Sequence, residues 1–238
     1  MKNTYYIVKR ELGSYFASPI AYVISAIYLA VTGGLFGFIL YYSREATMRY
    51  LFGHVIVILF LVLVSQALTM RLLAEEQRSG TLELLLTSPL RDWEVVLGKY
   101  LASLCVFLVM ILLTAYMPIL LSRVGKPDVG PLLSGYLGYV LLGAALLSIG
   151  LFASSLTQNQ IVAAVLGIGI TLLMWLASGL SDMVGGGLKS IVEYLPLFAH
   201  YNDMMRGVID TKDILYYMSV AVLFLFLSTR MLESRRWK

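Results

Sequence analysis

The sequence predicts an all-α protein that crosses a lipid bilayer six times, and three observations support this fold class. Of the 238 residues, 59% are hydrophobic and 13% are charged, and the mean hydropathy is +0.82, far from the balance of a soluble globular domain. Six apolar runs are each long enough to cross a hydrocarbon layer of about 30 Å. Away from their ends, these runs contain no ionisable side chain. The runs lie near residues 20–42, 52–72, 98–121, 132–155, 160–180 and 213–231.

The fourth and fifth runs are separated only by a short polar segment. Residues 129–181 carry no charge, yet a single helix of that length would be about twice too long for a bilayer. The sequence SSLTQNQ, residues 154–160, supplies the turn between the two runs. Since no internal repeat is visible, we expect residues 1–238 to form a single membrane domain.

The distribution of basic residues predicts the orientation in the membrane. With an even number of spans both termini lie on one side, and that side then holds eleven Lys and Arg residues against seven on the other. Basic residues are enriched in cytoplasmic segments, so we expect both termini in the cytoplasm. The inner set is Lys2, Lys9, Arg10, Arg71, Arg78, Arg91, Lys99, Arg230, Arg235, Arg236 and Lys238, and the outer set is Arg44, Arg49, Arg123, Lys126, Lys189, Arg206 and Lys212.

Two further segments lie outside the apolar runs. In residues 1–18, aromatic and aliphatic residues alternate with charged ones in the pattern of an amphipathic helix at the inner membrane interface. The charges of Lys9, Arg10 and Glu11 occupy the place where a cleavable signal peptide has its apolar core, so we expect no such signal. Residues 182–211 form a long, semi-apolar region on the outer side.

The sequence gives no indication of enzymatic chemistry. No charged residue lies near the middle of a span, which argues against a proton- or ion-coupled transporter. His54 and His200 lack a metal-binding or catalytic spacing, and Cys105 is a lone cysteine in an apolar run, so no catalytic or metal site is expected. A phosphate-binding GxxxxGK[ST] motif does not occur. The formal charge of +4 does not suggest nucleic acid as a partner.

Small residues are frequent in the apolar runs and permit close approach of helices. We expect most of them to pack within the bundle, while a contact with a second subunit or a lining role remains open. The glycines concerned are Gly33, Gly37, Gly135, Gly138, Gly143, Gly150, Gly167 and Gly169.

The longest polar stretch in the first half of the chain connects runs two and three. Residues 71–76 are expected to continue run two as a helix that ends at Ser79-Gly80. Thr81 can cap a new short helix whose first turn contains Glu83. Leu82 and the leucines at 84–86 give this helix its apolar surface. Ser88-Pro89 ends it, and Asp92 with Glu94 starts the helix of run three.

The apolar surface of this short helix is too large to be left in water. One alternative is that it lies on the bilayer surface. Glu75 and Glu76 argue against that alternative, because an anionic inner leaflet repels them. A protein partner therefore suits the loop better.

The segment MRLLAEEQRSGTLELLLTSPLRDWEVVLGKYLA resembles the signature loop of the permease subunits of ABC-2 type transporters. Three further stretches, RELGSYFASPIAYVI, GLFASSLTQNQIVAA and LSTRMLESRRW, resemble the branch of that family associated with gliding motility, and permeases of copper maturation are close relatives that remain an alternative. The matching residues of the loop are Arg71, Glu75, Glu76, Gly80, Thr81, Glu83, Leu84, Leu85, Pro89, Gly98 and Lys99.

The resemblance implies a multi-pass permease of the bacterial inner membrane, with no cofactor and no enzymatic activity of its own. ATP and Mg would be bound by a separate nucleotide-binding subunit. Hydrolysis of ATP by that subunit would drive alternating access or mechanical work, with export as the expected direction. A second copy or a related permease would complete the transporter, with an accessory extracytoplasmic protein as a further possible partner. The resemblance makes residues 78–90 the coupling-helix loop, residues 1–18 the connecting helix and residues 182–211 a re-entrant outer gate.

The resemblance also suggests roles for single residues in docking the ATPase subunit. Gly80 would form the tight turn, Thr81 and Glu83 the first turn of the coupling helix, and Glu75 and Glu76 polar contacts with the ATPase. The apolar contact would come from Leu84 and Leu85, and Pro89 would end the helix. An alternative from another class is a membrane anchor that recruits a cytoplasmic ATPase without transport. The sequence does not specify the cargo.

Overall fold

A computed structural model describes residues 2–43, 47–82, 90–180 and 196–236. Within these residues every regular element is a helix. Residues 81–82 begin a short helix, and eleven further helices are described with their bounds. They are α1 (Lys2–Ala17), α2 (Pro19–Ser43), α3 (Arg49–Phe52), α4 (Val55–Thr69), α5 (Ala74–Arg78), α6 (Asp92–Leu113), α7 (Tyr116–Val124), α8 (Val129–Leu156), α9 (Gln160–Leu180), α10 (Ala199–Met205) and α11 (Thr211–Arg236).

Six spans are long and apolar enough to cross a membrane, which confirms the predicted fold class. Spans one, four, five and six are the single helices α2, α8, α9 and α11, whereas span two combines α4 with α5 and span three combines α6 with α7. Span three begins at Asp92, as predicted. The carboxylate of Glu94 accepts a hydrogen bond from the backbone N–H of Arg91 at 3.2 Å, which satisfies one of the free N–H groups at that helix start.

Span two differs from the continuous helix that we predicted. The helix stops at Thr69, passes through turns at residues 70–73 and resumes at Ala74. The hydroxyl of Ser154 in span four accepts hydrogen bonds from the N–H groups of Leu73 and Ala74, both at 3.0 Å. It also donates to the carbonyl of Met70 at 2.9 Å. This one side chain replaces helical bonds of the interrupted turn, which explains how a buried break is tolerated.

A second break divides span three at Thr114. Pro118 has no N–H to donate to the carbonyl of Thr114, four residues before it, so the helical ladder cannot run through this turn. The hydroxyl of Tyr136 in span four donates to that carbonyl at 3.2 Å instead. Both breaks are therefore stabilised by hydroxyl groups of span four.

Span four forms the centre of the bundle. In its apolar segment 72% of the residues are buried, against 17% in spans one and five. It packs against spans two, five and six and against α10. Its glycines permit this close contact, because a side chain at Gly143 would overlap the ring of Phe107 and one at Gly138 would press on Met204. For these positions the predicted packing role is confirmed, whereas Gly37 and Gly169 have open space around them.

A buried amide lies between spans two, four and five. The side chain of Gln66 is 1% exposed, and its amide nitrogen donates to the carbonyl of Leu146 at 3.4 Å. A Cβ atom added at Gly150 would lie 2.6 Å from the Gln66 side-chain oxygen, and one at Gly167 would overlap it. The two glycines therefore form a slot for this amide inside the bundle.

We expect Gly167→Ala to destabilise the protein by about 1–3 kcal/mol, because the added methyl forces Gln66 out of its slot. Gly169→Ala is the matched control, since it lies on the same helix and has no heavy atom within 4 Å of its added Cβ. Thermal unfolding in detergent measures both. Equal unfolding temperatures for the two variants would show that the slot is not tight.

The end of the bundle at which spans two and six begin, called here the outer end, is closed by a short helix. In α10, Tyr201 and Met204 are fully buried against span four. His200 forms a 2.7 Å contact from its Nδ1 to Oδ1 of Asp213 at the start of span six and stacks on the ring of Tyr216. His54 caps α4 by accepting a hydrogen bond from the N–H of Ile56. Of the outer region 182–211, residues 182–195 lie outside the described residues, and its gating role stays a prediction.

Candidate functional site

Helix α1 and the last described turn of α11 lie at one end of the bundle, called here the inner end, together with the start of the loop between spans two and three. The N-terminal segment forms a helix, as predicted, and α1 packs along the first turns of span three. Ile7 lies directly on Gly98, where a Cβ atom would come within 2.6 Å of the isoleucine side chain. A glycine at position 98 therefore lets α1 approach the backbone of span three.

Four charged residues from three helices meet beneath α1, and we call them the inner ion cluster. The ammonium nitrogen of Lys99 lies 3.0 Å from Glu11 and 2.8 Å from Glu76, both through Oε1 of the carboxylate. A guanidinium nitrogen of Arg10 lies 2.6 Å and 2.8 Å from the same two oxygens. Two cations thus balance two carboxylates, and the four groups connect α1, α5 and α6.

The cluster is largely removed from water. The side chain of Lys99 is 1% exposed and those of Glu11 and Glu76 are 12% and 15% exposed, whereas that of Arg10 is 53% exposed. Burial alone would favour the neutral form of Glu11, but the charges of Lys99 and Arg10 outweigh it and lower the pKa of that carboxyl. The same carboxylates raise the pKa of Arg10 against the opposing effect of its burial. These shifts favour the charged forms of Glu11 and Arg10.

Two further contacts fix α1 and its turn into span one. Tyr15 is buried, and its hydroxyl donates to the carbonyl of Leu68 at 2.5 Å. The guanidinium of Arg71 lies 4.8 Å from the centre of the Tyr15 ring and donates to the hydroxyl of Ser18 at 3.2 Å. At the other end of α1, the amide of Asn3 donates to Glu94 at 3.1 Å. The N-terminal helix is therefore attached along its whole length.

The described part of the loop begins on α5 and ends at Leu82. Gly80 has a φ of 72°, in the left-handed region that favours glycine, which agrees with a tight turn at this position. Glu75 and Thr81 are exposed, and Thr81 lies 2.9 Å from the hydroxyl of Ser79. The predicted site residues Glu83, Leu84, Leu85 and Pro89 lie outside the described residues.

Span four is capped by side chains from two other spans at this end. The amide nitrogen of Gln77 donates to the carbonyls of Ser154 and Ser155 at 3.4 and 3.0 Å. Arg235 of span six donates to the carbonyls of Ser155 and Leu156 at 3.2 and 3.4 Å. The last carbonyls of a helix have no partner within the helix, so these bonds connect spans two, four and six.

This arrangement connects the start of the loop to α1 and to span three. Glu76 lies four residues before the Gly80 turn, and its carboxylate is bound to α1 and to span three. A displacement of the loop therefore acts on three helices together. Among the described residues, no group of three or more His, Cys, Asp or Glu side chains is placed to hold a metal ion.

Sequence reasoning identified part of this site. Glu76 and Lys99 were recognised as elements of the loop motif, but their mutual contact was not predicted. Arg10 and Glu11 were interpreted only as the polar face of an interfacial helix. The sequence contains one signal: Lys99 stands at the edge of the apolar run, but the helix that starts at Asp92 puts it about two turns inside that helix, where an unpaired charge is costly.

Comparison with known protein families agrees with this description. The sequence model of a family described as "ABC-2 family transporter protein" matches residues 18–230, which is most of the chain. A comparison with curated proteins finds no match. The matched region contains all six spans apart from the last residues of span six.

Proposed function

Because this chain belongs to the ABC-2 family of transporter proteins, we propose that it is a permease subunit whose loop 78–90 receives a separate ATP-binding subunit. The family works with an ATPase subunit, and the chain is a multi-pass membrane protein. The observation that carries the proposal is the inner ion cluster, which binds the base of this loop to α1 and span three. Such a connection is what a docking loop needs in order to move a membrane helix.

The proposed mechanism begins with ATP and Mg in the partner subunit. Closure of two such subunits around ATP would push on the loops of two permeases. Through Glu76, the push would reach α1 and span three in the same step, since Lys99 and Arg10 share that carboxylate. The two permease halves would then rock between inward-open and outward-open states. Glu75 and Thr81, exposed at the base of the loop, are available for polar contacts with the ATPase.

Several finer features belong to the same proposal. The inner end would face the cytoplasm of a bacterium, with export or mechanical work as the outcome. The second permease would be another copy or a relative, and an accessory extracytoplasmic protein would act at the outer end. The assignment to the gliding-motility branch rests on the sequence stretches that resemble it, and the copper-maturation permeases stay an alternative.

Replacing Leu84 and Leu85 together by alanine should abolish coupling, because the apolar surface of the docking helix is removed. After purification from the native membrane in mild detergent, we expect the wild-type protein to carry a nucleotide-binding subunit with ATPase activity. The amount of nucleotide-binding subunit that purifies with the double variant should be about tenfold lower, or lower still.

The matched control is Leu112→Ala with Leu113→Ala, an adjacent leucine pair at the end of α6, remote from the loop, that is 72% and 51% exposed. It should retain the ATPase, and both double variants should unfold at the same temperature if only docking is affected. Undiminished ATPase in the Leu84/Leu85 variant would contradict the docking role. Recovery of the wild-type protein with no ATPase would favour a non-transporting anchor.

A further inference from the structure

A polar cleft of about 670 Å³ opens at the inner end of the bundle, away from the inner ion cluster. It lies where spans two, four, five and six end, next to the turn between spans four and five. The lining residues are Arg78, Leu156, Thr157, Gln158, Asn159 and Arg235.

The cleft is strongly cationic. Neither Arg78 nor Arg235 forms an ion pair with any residue in the described part of the chain. Arg235 uses one terminal nitrogen on the carbonyls that end span four, while its Nε is buried without a hydrogen-bond partner among the described residues. Among the described residues that line the cleft, none is a carboxylate that could balance the two guanidinium groups.

The first turn of span five adds to the positive potential. The 21-residue helix α9 starts at Gln160, immediately beside the cleft, and the N-terminus of a helix carries a partial positive charge. The side chain of Asn159 already caps this helix by accepting from the N–H of Ile161 at 2.9 Å. Donors of the described lining residues that make no bond to the protein include nitrogens of the two arginines and the side-chain amides of Gln158 and Asn159.

We propose that this cleft binds the phosphate group of an anionic phospholipid. Planar guanidinium groups bind phosphate oxygens through paired hydrogen bonds, and two of them meet here around an open volume that fits such a group. The cleft lies at the ends of four membrane-spanning helices, which is the depth of the lipid headgroups. A free phosphate ion offers the same chemistry, but only a lipid is presented at that depth. Arg78 is also the first residue of loop 78–90, but the test below uses the permease alone and therefore does not depend on docking of an ATPase.

The test is native mass spectrometry of the full-length protein in detergent with added phosphatidylglycerol or phosphatidylcholine. We expect phosphatidylglycerol to be retained on the wild-type protein and phosphatidylcholine to be lost. Arg78→Gln with Arg235→Gln should weaken phosphatidylglycerol binding about tenfold or more, since each arginine contributes a charged hydrogen bond. Arg123→Gln, an exposed arginine outside the cleft, is the control and should change nothing.

Two additions make the result decisive. Replacing Arg235 also removes a cap of span four and could therefore destabilise the fold, so the single variant Arg78→Gln is measured as well. Arg78 is exposed and makes no described contact whose loss would unfold the protein. It should weaken phosphatidylglycerol binding without changing the unfolding temperature. The second addition is a measurement with inorganic phosphate at millimolar concentration. If phosphate binds the protein as tightly as phosphatidylglycerol does, the cleft is a site for a soluble anion and the lipid proposal is overturned. Equal retention of both lipids, or undiminished binding in the arginine variants, would overturn it too.

Discussion

Replacing Lys99 by methionine should lower the free energy of unfolding by about 3–5 kcal/mol, the range typical for removal of one partner from a buried ion pair. Methionine keeps most of the volume of the side chain but leaves the carboxylates of Glu11 and Glu76 facing each other. Only Arg10 then remains to compensate them, and its side chain is 53% exposed. We expect a clearly lower unfolding temperature in detergent and faster hydrogen exchange in α1, because the carboxylates repel each other once the shared cation is gone.

Lys212→Met is the matched control, since that side chain is 74% exposed and lies 4.0 Å from its nearest carboxylate, Asp210. Its effect should stay within about 0.5 kcal/mol, as expected for an exposed ion pair. Adding Glu76→Gln to Lys99→Met should recover part of the lost stability by removing one uncompensated charge. If Lys99→Met were as stable as the control, the cluster could not be holding α1 to the bundle.

The second large effect is expected for Ser154→Ala. This change removes the acceptor for the N–H groups of Leu73 and Ala74 and the donor for the carbonyl of Met70. Each buried group left without a partner costs about 1–3 kcal/mol, so the inner turn of span two should become the least stable part of the bundle. Hydrogen exchange of residues 70–78, followed together with thermal unfolding, measures the effect.

Ser148→Ala is the matched control on the same helix. Ser148 is fully buried like Ser154, but its hydroxyl bonds only to the carbonyl of Ala145 in its own helix. It should therefore have a small effect. Ser154→Thr keeps the hydroxyl and should restore much of the protection at residues 70–78. Equal exchange in the two alanine variants would mean that the break in span two does not depend on span four.

The features that depend on local composition could be read from the sequence. The six spans follow from the length of apolar runs, and the start of span three follows from Asp92 and Glu94, because those signals act within a few residues. The break in span two could not be predicted in this way. Residues 70–73 are ordinary helix formers, and the group that stabilises the break, Ser154, is 80 residues further along the chain than Ala74.

The same reasoning applies to the candidate site. Lys99 was placed at the end of a span, where a lysine can usually extend to water, and its burial results from α1 folding back over it. Gln66 does not stand out in the sequence, because a single neutral amide hardly changes the hydropathy of a long apolar run. The docking roles of Glu83, Leu84, Leu85 and Pro89 remain predictions from the sequence and its resemblance.

The inner ion cluster also has a consequence for biosynthesis. A membrane protein enters the bilayer in the order in which the ribosome makes it, and Arg10, Glu11 and Glu76 all precede Lys99 in the chain. When span three is synthesised, both counterions of its buried ammonium group already exist. At no stage of synthesis is Lys99 therefore present before its carboxylate partners have been translated. Span three can be fully inserted once α1 has packed against it.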